Sequence, residues 1–243
     1  MNNAFTVNGI NFFSKNIDWC ADRAPFILNE NEIHLWLSPL ITVESALNYW
    51  PDTIFRDDVS SIESAPQLKR RKELATSLFL TRYLIMRYLD VSAKSITIHR
   101  VQEKKPEILI SGRAVPFCLN WSHTDDTILF ACARHQIGVD IERIRSANEY
   151  PRLYSLMKER MKNIPDGDDD FTRCWVSSEA LYKGFGKGSL LDMLRKDINL
   201  SGLWGYYFNV RSTCLGAIAS ERSSKLKGYC LSTEYPDPCT KYP

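Results

Sequence analysis

The stretch IGVDIERI, residues 137 to 144, constrains this chain more than any other. Its alternation is that of a β-strand, whose successive side chains point to opposite faces. Ile137, Val139 and Ile141 therefore share one face, and Asp140 and Glu142 share the other. The aliphatic face requires a core. The acidic face sets two like charges side by side, which is unfavourable unless something positive lies between them. Two readings follow. In one, an exposed strand face is neutralised by Arg143 and Arg145. In the other, the pair belongs to a Mg²⁺ site, because Mg²⁺ takes hard oxygen ligands, commonly one or two carboxylates with water and phosphates completing an octahedron. The second reading needs another carboxylate from elsewhere.

WVSSEALYKGFGKGSL, starting at Trp175, offers one. In a helix, Trp175, Glu179 and Lys183 fall at i, i+4 and i+8 on one face. As a surface pair Glu179 and Lys183 would be worth only ~0.3–0.5 kcal/mol. The bulk of Trp175 and Tyr182 instead makes that face, or its edge, partly buried. Gly184, Gly186 and Gly188 follow, and residues without a Cβ allow close approach to a ligand.

Two basic runs precede these segments: Lys69, Arg70, Arg71 and Lys72 in LKRRKE, and Lys104 and Lys105 in KKP. Each alone reads as a solvated charge run. His123 stands in LNWSHTDD. A lone histidine is more often structural than catalytic, although a Ser–His pair at a strand end can hydrogen-bond a phosphate. The absence of H-x-x-x-H and C-x-x-C argues against zinc, and Ser122 lacks the G-x-S-x-G surroundings of a hydrolase nucleophile.

A net charge of +2 over 243 residues gives no reason to expect a nucleic acid or a membrane surface as partner. No apolar run approaches the ~20 residues that span a bilayer, and the first residues lack a secretory pattern. Seven scattered cysteines suit a reduced cytoplasm. The order strand, helix, strands, then strands, helix, helix, strands occurs roughly twice, predicting an α+β protein of two similar subdomains. The expected division is an irregular extension over residues 1–30, a first subdomain over 31–136, and a second over 137–243 that carries the metal site and a loose tail. The long helix is expected from APQLKRRKELATSLFLTRYLIMRYLDV with Pro66 in its first turn, and a further helix from YPRLYSLMKERMKNIP.

Taken together, KKPEI, LNWSHTDD, IGVDIERI and WVSSEALYKGFGKG resemble, in order, four motifs of the 4′-phosphopantetheinyl transferases, specifically the larger, monomeric surfactin type. The resemblance spans about residues 30 to 220. It implies two α+β subdomains related by pseudo-twofold symmetry, with coenzyme A in the cleft between them. The implied reaction moves the phosphopantetheine group of coenzyme A to a serine hydroxyl of an apo carrier protein and releases adenosine 3′,5′-bisphosphate. It requires Mg²⁺, for which Mn²⁺ can substitute. On this resemblance Asp140, Glu142 and Glu179 hold the metal and Lys183 steadies the leaving phosphate. Glu179 is the first candidate for the general base and Glu159 the second. Arg70, Arg71, Lys72, Lys105 and His123 match positions that bind the phosphates of coenzyme A, with Ser122 supporting them. Lys104, Thr124 and Ser178 depart from the family pattern, Ser178 standing where a lysine is usual. The competing expectation is a module that binds coenzyme A or a carrier protein without turnover.

Overall fold

The computed structural model describes residues 4–21, 26–49, 53–99, 106–159, 161–162, 169–186, 189–190, 192 and 200–231. The chain opens with β1 (Ala4–Val7), β2 (Ile10–Ser14), β3 (Trp19–Ala21) and β4 (Glu32–Pro39). Three helices follow, α1 (Val43–Tyr49), α2 (Arg56–Glu63) and α3 (Leu68–Leu89). Next come β5 (Ile96–His99), β6 (Glu107–Ile110), β7 (Arg113–Ala114), β8 (Cys118–Thr124), β9 (Thr127–Ala133) and β10 (Ile137–Arg143). Helix α4 (Pro151–Lys158), β11 (Met161–Lys162) and α5 (Asp170–Phe185) lead into β12 (Trp204–Arg211), β13 (Cys214–Ser220) and β14 (Lys225–Cys230).

Among the described residues the strands form three sheets: β10-β13-β12-β2-β1-β11, β3-β14-β4-β9-β8, and the small β5-β6-β7. Most pairings are antiparallel; β12 with β2, and β14 with β3 and β4, are parallel. The fold is mixed α and β. The two larger sheets stack through Ile33, Leu35, Leu129, Ala131, Ile137, Val139, Ile141 and Ile218, all fully buried. Outside the β4 sheet, α3 packs Phe79, Leu80, Leu84 and Ile85 against Trp36, Ile128 and Phe130. Outside the β10 sheet, α5 packs Phe171, Cys174, Ala180 and Leu181 against Phe5, Phe12, Tyr207 and Ala217. The order of layers is helix, sheet, sheet, helix. The alternation read from IGVDIERI has its physical cause here: the isoleucines and Val139 fill the space between sheets, leaving Asp140 and Glu142 on the α5 side.

Three expectations are corrected. Residues 4–21 are not irregular; they carry β1, β2 and β3, and β1 and β2 join the sheet of β10, β12 and β13. The β1–β2 hairpin turns on Asn8 (φ 48°) and Gly9 (φ 80°), the Asn-Gly pair that two-residue hairpins favour because both central positions need positive φ. The helix expected to continue through Met161 stops at Lys158, because Met161 and Lys162 pair with Val7 and Thr6 instead. Pro66 lies before the helix rather than in its first turn, since Gln67 at the N-cap is still extended. In addition, α1 and α2 cover α3, and Asp58 of α2 holds Arg82 of α3 at 2.7 Å.

Candidate metal centre

The two larger sheets meet where edge strands β8 and β10 run side by side, joined through side chains. Asn120, Ser122 and Thr124 recur every second residue on β8 and all face β10. Asn120 Oδ1 accepts from the Val139 amide at 3.2 Å, and Thr124 Oγ1 accepts from the Arg143 amide at 3.3 Å. Between them Ser122 donates to Asp140 Oδ1 at 2.6 Å. The side-chain amides of Asn120 and Gln136 also reach the last carbonyls of α5, at Lys183 (3.5 Å) and Gly184 (2.5 Å). A helix end leaves such carbonyls without intrahelical partners, so these contacts tie α5 to both sheets.

On this frame Lys183 of α5 meets Asp140 of β10. The ammonium donates to Asp140 Oδ1 at 2.5 Å and to Ser122 Oγ at 2.8 Å. Asp140 is 1% exposed, and burial pushes its carboxyl up against the opposing pull of Lys183 and Ser122. Glu142, half-buried, accepts from Trp175 Nε1 at 3.4 Å and lies 3.9 Å from Arg145. Burial raises its carboxyl and the charge of Asp140 raises it further. Glu179 is pushed up to about 7 by burial, with Lys183 pulling it down and the charges of Asp140 and Glu142 adding to the rise. Glu142 and Glu179 therefore sense the charge of Asp140, while Lys183 supplies positive charge to Asp140 and Glu179 and Arg145 supplies it to Glu142.

These residues suit a hard divalent ion by two observations. Asp140 Oδ2 is buried without a hydrogen-bond partner, and all three carboxyls are held above their ordinary values by burial, to which like charges add at Glu142 and Glu179. A cation relieves both conditions, and oxygen donors are the set Mg²⁺ takes. Among the described residues, however, no three His, Cys, Asp or Glu side chains are gathered closely enough to hold an ion as they stand. Lys183 and Ser122 both occupy Asp140 Oδ1, which leaves Oδ2 as the oxygen open to an ion.

A second cluster lies on the opposite face of β8. His123 Nδ1 is 3.4 Å from Glu73 of α3, and Arg70 donates to the other oxygen of Glu73 at 3.0 Å. Burial lowers the basicity of His123; Glu73 opposes this, while Lys183, Arg70 and Lys69 reinforce it. Within the basic run, Arg71 turns back to the Ala65 carbonyl at 2.7 Å, and Lys72 is half-buried.

The other anticipated residues scatter. Ser122 sits against Asp140 rather than in the Arg70 cluster. Glu159 is exposed at the C-cap of α4. Lys105 and Gly188 lie outside the described residues. Ser178 is fully buried and returns its hydroxyl to the Cys174 carbonyl at 2.9 Å, so it faces its own helix. Sequence reading missed Glu73, although its place three residues after Arg70 is a helix pairing distance, and Asn120, whose partners are remote in sequence.

A groove of about 140 Å³ opens beside Glu142, between Trp175, Phe171, Tyr150 and Leu153. Another of about 270 Å³ is lined by Pro106, Ile108, Leu119, Trp121, Asn120 and Lys183. No helix among the described residues is long and apolar enough to cross a membrane.

The chain is similar to the 4′-phosphopantetheinyl transferase HetI of Nostoc sp. (strain PCC 7120). The two are 25% identical over 182 residues, which cover 70% of this chain and 75% of that protein. This likeness supports a relationship to the phosphopantetheinyl transferases. No family model matches the chain.

Proposed function

We propose that this chain is a Mg²⁺-dependent 4′-phosphopantetheinyl transferase of the two-subdomain surfactin type. It moves phosphopantetheine from coenzyme A to a serine hydroxyl of an apo carrier protein and releases adenosine 3′,5′-bisphosphate. One observation carries the reading: a buried aspartate on β10, bound by Ser122 and Lys183, faces Glu179 from α5 across a site that Glu142 also charges. The similarity to HetI supports the same reading.

Asp140, Glu142 and Glu179 would hold Mg²⁺. Bound there, the ion would supply positive charge to the pyrophosphate and offset the charge that develops as the phosphoanhydride bond between the phosphopantetheine group and the leaving nucleotide breaks. Lys183, with three donors on a flexible stem, steadies the leaving phosphate once it releases Asp140. Glu179 is the first candidate to take the serine proton, directly or through a water; Glu159 is the weaker candidate because it stands exposed at a helix end. Arg70 and His123 bind phosphate oxygens of coenzyme A, and Arg71, Lys72, Lys105 and Ser122 complete the set assigned to it. Coenzyme A lies between two subdomains related by a pseudo-twofold axis, to which the helix–sheet–sheet–helix layering lends support; the division at residue 136 is crossed by β14, which joins the β4 sheet, and by β1 and β2, which join the β10 sheet. The enzyme works as a cytoplasmic monomer.

The test is the intact mass of an apo carrier protein incubated with the purified chain, coenzyme A and Mg²⁺. The expected result is a gain of one phosphopantetheine, lost in Asp140→Ala while the far-ultraviolet dichroism is unchanged. No gain on any carrier, with coenzyme A still bound, would favour a non-catalytic binding module.

A further inference from the structure

Helix α5 carries Lys183 in its weakest turn. Gly184 and Gly186 follow it, and only proline is less favourable than glycine in a helix. A helix end also leaves its final carbonyls without intrahelical donors. Three carbonyls of this turn are nevertheless satisfied in succession. Tyr182 accepts from the Gly186 amide at 2.8 Å, Lys183 from Asn120 Nδ2 at 3.5 Å, and Gly184 from Gln136 Nε2 at 2.5 Å. The contact to Gln136 is the shortest of the three, while that to Asn120 is at the outer limit of a hydrogen bond.

Gln136 is itself held in place. It stands in the turn by which the chain crosses from β9 in one large sheet to β10 in the other, and residues 221–224 make a second such crossing, from β13 to β14. The two crossings are fastened together. Glu221 accepts from the Gln136 amide at 3.1 Å through Oε2 and donates its own amide to the Gln136 carbonyl at 3.2 Å, while His135 Nε2 lies 2.8 Å from Ser220 Oγ. A side chain rooted at this junction therefore grips α5 one residue beyond Lys183. The Lys183 ammonium has to reach Asp140 of one sheet and Ser122 of the other, at 2.5 and 2.8 Å.

We propose that Gln136 is a positioning residue, whose side-chain amide fixes the last turn of α5 so that Lys183 meets Asp140 and Ser122 together. The inference rests on the proposed function for the reaction Lys183 serves, and on geometry alone for the placement of its ammonium. Gln136 is exposed, so water can take over the freed carbonyl and its replacement should leave the fold intact.

Two readouts test it. Gln136→Met keeps the length of the side chain and removes its donor; Gln136→Lys returns a donor, with a charge that suits a helix C-terminus. In ¹H–¹⁵N spectra of the wild type, the Lys183 ammonium should give a slowly exchanging signal, assigned by its loss in Lys183→Met. That signal should vanish in Gln136→Met and return in Gln136→Lys. In transfer assays Gln136→Met should lower kcat about tenfold, within the ~10²-fold that a 1 Å misplacement can cost. Both KM values and the far-ultraviolet dichroism should hold, and Gln136→Lys should recover most of the lost kcat. An ammonium signal absent from the wild type, or unchanged in Gln136→Met, overturns the proposal. So does a wild-type kcat in Gln136→Met, or a fall that Gln136→Lys does not reverse. If the wild type transfers to no carrier, the proposed function fails, and the ammonium spectra still decide whether Gln136 places Lys183.

Discussion

Gly138 of β10 and Gly184 of α5 meet backbone to backbone: a methyl group on Gly138 would fall 2.3 Å from the Gly184 nitrogen and 2.0 Å from the Ala180 carbonyl oxygen. No side chain is there to yield. The glycine in IGVDIERI is therefore set by how closely α5 crosses the strand two residues before Asp140. Gly138→Ala should push the helix outward and cost ~1–3 kcal/mol, the usual range for overpacking a tight site. It should also separate Glu179 and Lys183 from Asp140, so transfer should fall further than the loss of folded protein explains. A thermal melt and a transfer assay on the same sample would separate the two effects.

The side-chain seam between β8 and β10 gives a second expectation. Asn120 is 4% exposed and satisfies the Val139 amide through Oδ1. Asn120→Ala leaves that amide and the Lys183 carbonyl without their partner, and an unsatisfied buried group costs ~1–3 kcal/mol. Hydrogen exchange at Val139 should accelerate in the variant. If exchange there stays as slow as in the wild type, the seam does not depend on this side chain.

These two cases show what was legible in the sequence. Alternation in IGVDIERI and helical spacing in Trp175, Glu179 and Lys183 depend on neighbours a few residues away, so strand β10 and one face of α5 could be read directly. The hairpin at Asn8-Gly9 was equally local, and its signal was present but passed over as irregular chain. Ser122 against Asp140, Asn120 against Val139 and Gly138 against Gly184 are different in kind. Each depends on which strand edges and helix faces come together, and pairings between distant segments leave no spacing to read.

Acid stability should reflect a buried chain of hydrogen bonds in the first half. Trp36 donates to the Tyr88 hydroxyl at 2.9 Å, which lies 2.7 Å from His34 Nδ1, while His34 Nε2 lies 3.2 Å from Glu32. Burial holds the basicity of His34 down despite the opposing pull of Glu32, so the unfolded chain takes a proton below about 6.5 that the folded one refuses. Burial pushes Glu32 up, but hydrogen bonds from Lys227, Asn29 and His34 together bring it to about 2. A depressed carboxylate contributes stability above its unfolded value of 4.5 and loses it as pH falls toward 2. Both groups act in the same direction. The melting temperature should decline as pH drops below about 6.5 and continue to fall below 4.5, and Glu32→Gln should flatten the lower part of that decline.

Metal affinity should run the other way across neutrality. Glu179 sits at about 7 in the metal-free protein, so near pH 6 most molecules carry a proton on it. A carboxylate ligand must give up that proton to bind a cation. Mg²⁺ binding should tighten as pH rises through about 7 and release protons below it, which calorimetry in buffers of different ionisation enthalpy would detect. Glu179→Gln should abolish the release. Affinity independent of pH would remove Glu179 from the ligand set.

Lys183 provides the sharpest test of the centre because it stands in for a cation. Its ammonium lies 2.5 Å from an aspartate that is 1% exposed, and Lys183→Met leaves that carboxylate buried without a counter-charge. Breaking a buried ion pair by removing one partner costs ~3–5 kcal/mol. The side chain of Lys183 is 29% exposed, so the lower end of that range applies. For a chain of this length each kcal/mol is worth ~2–4 °C in melting temperature. If Asp140 is a metal ligand, Mg²⁺ supplies the missing positive charge, and it should raise the melting temperature of Lys183→Met by more than that of the wild type. Transfer should stay low even with the fold restored, because the ammonium that would steady the leaving phosphate is gone. Equal stabilisation of both proteins by Mg²⁺ would place the ion away from Asp140 and remove the central carboxylate from the proposed mechanism.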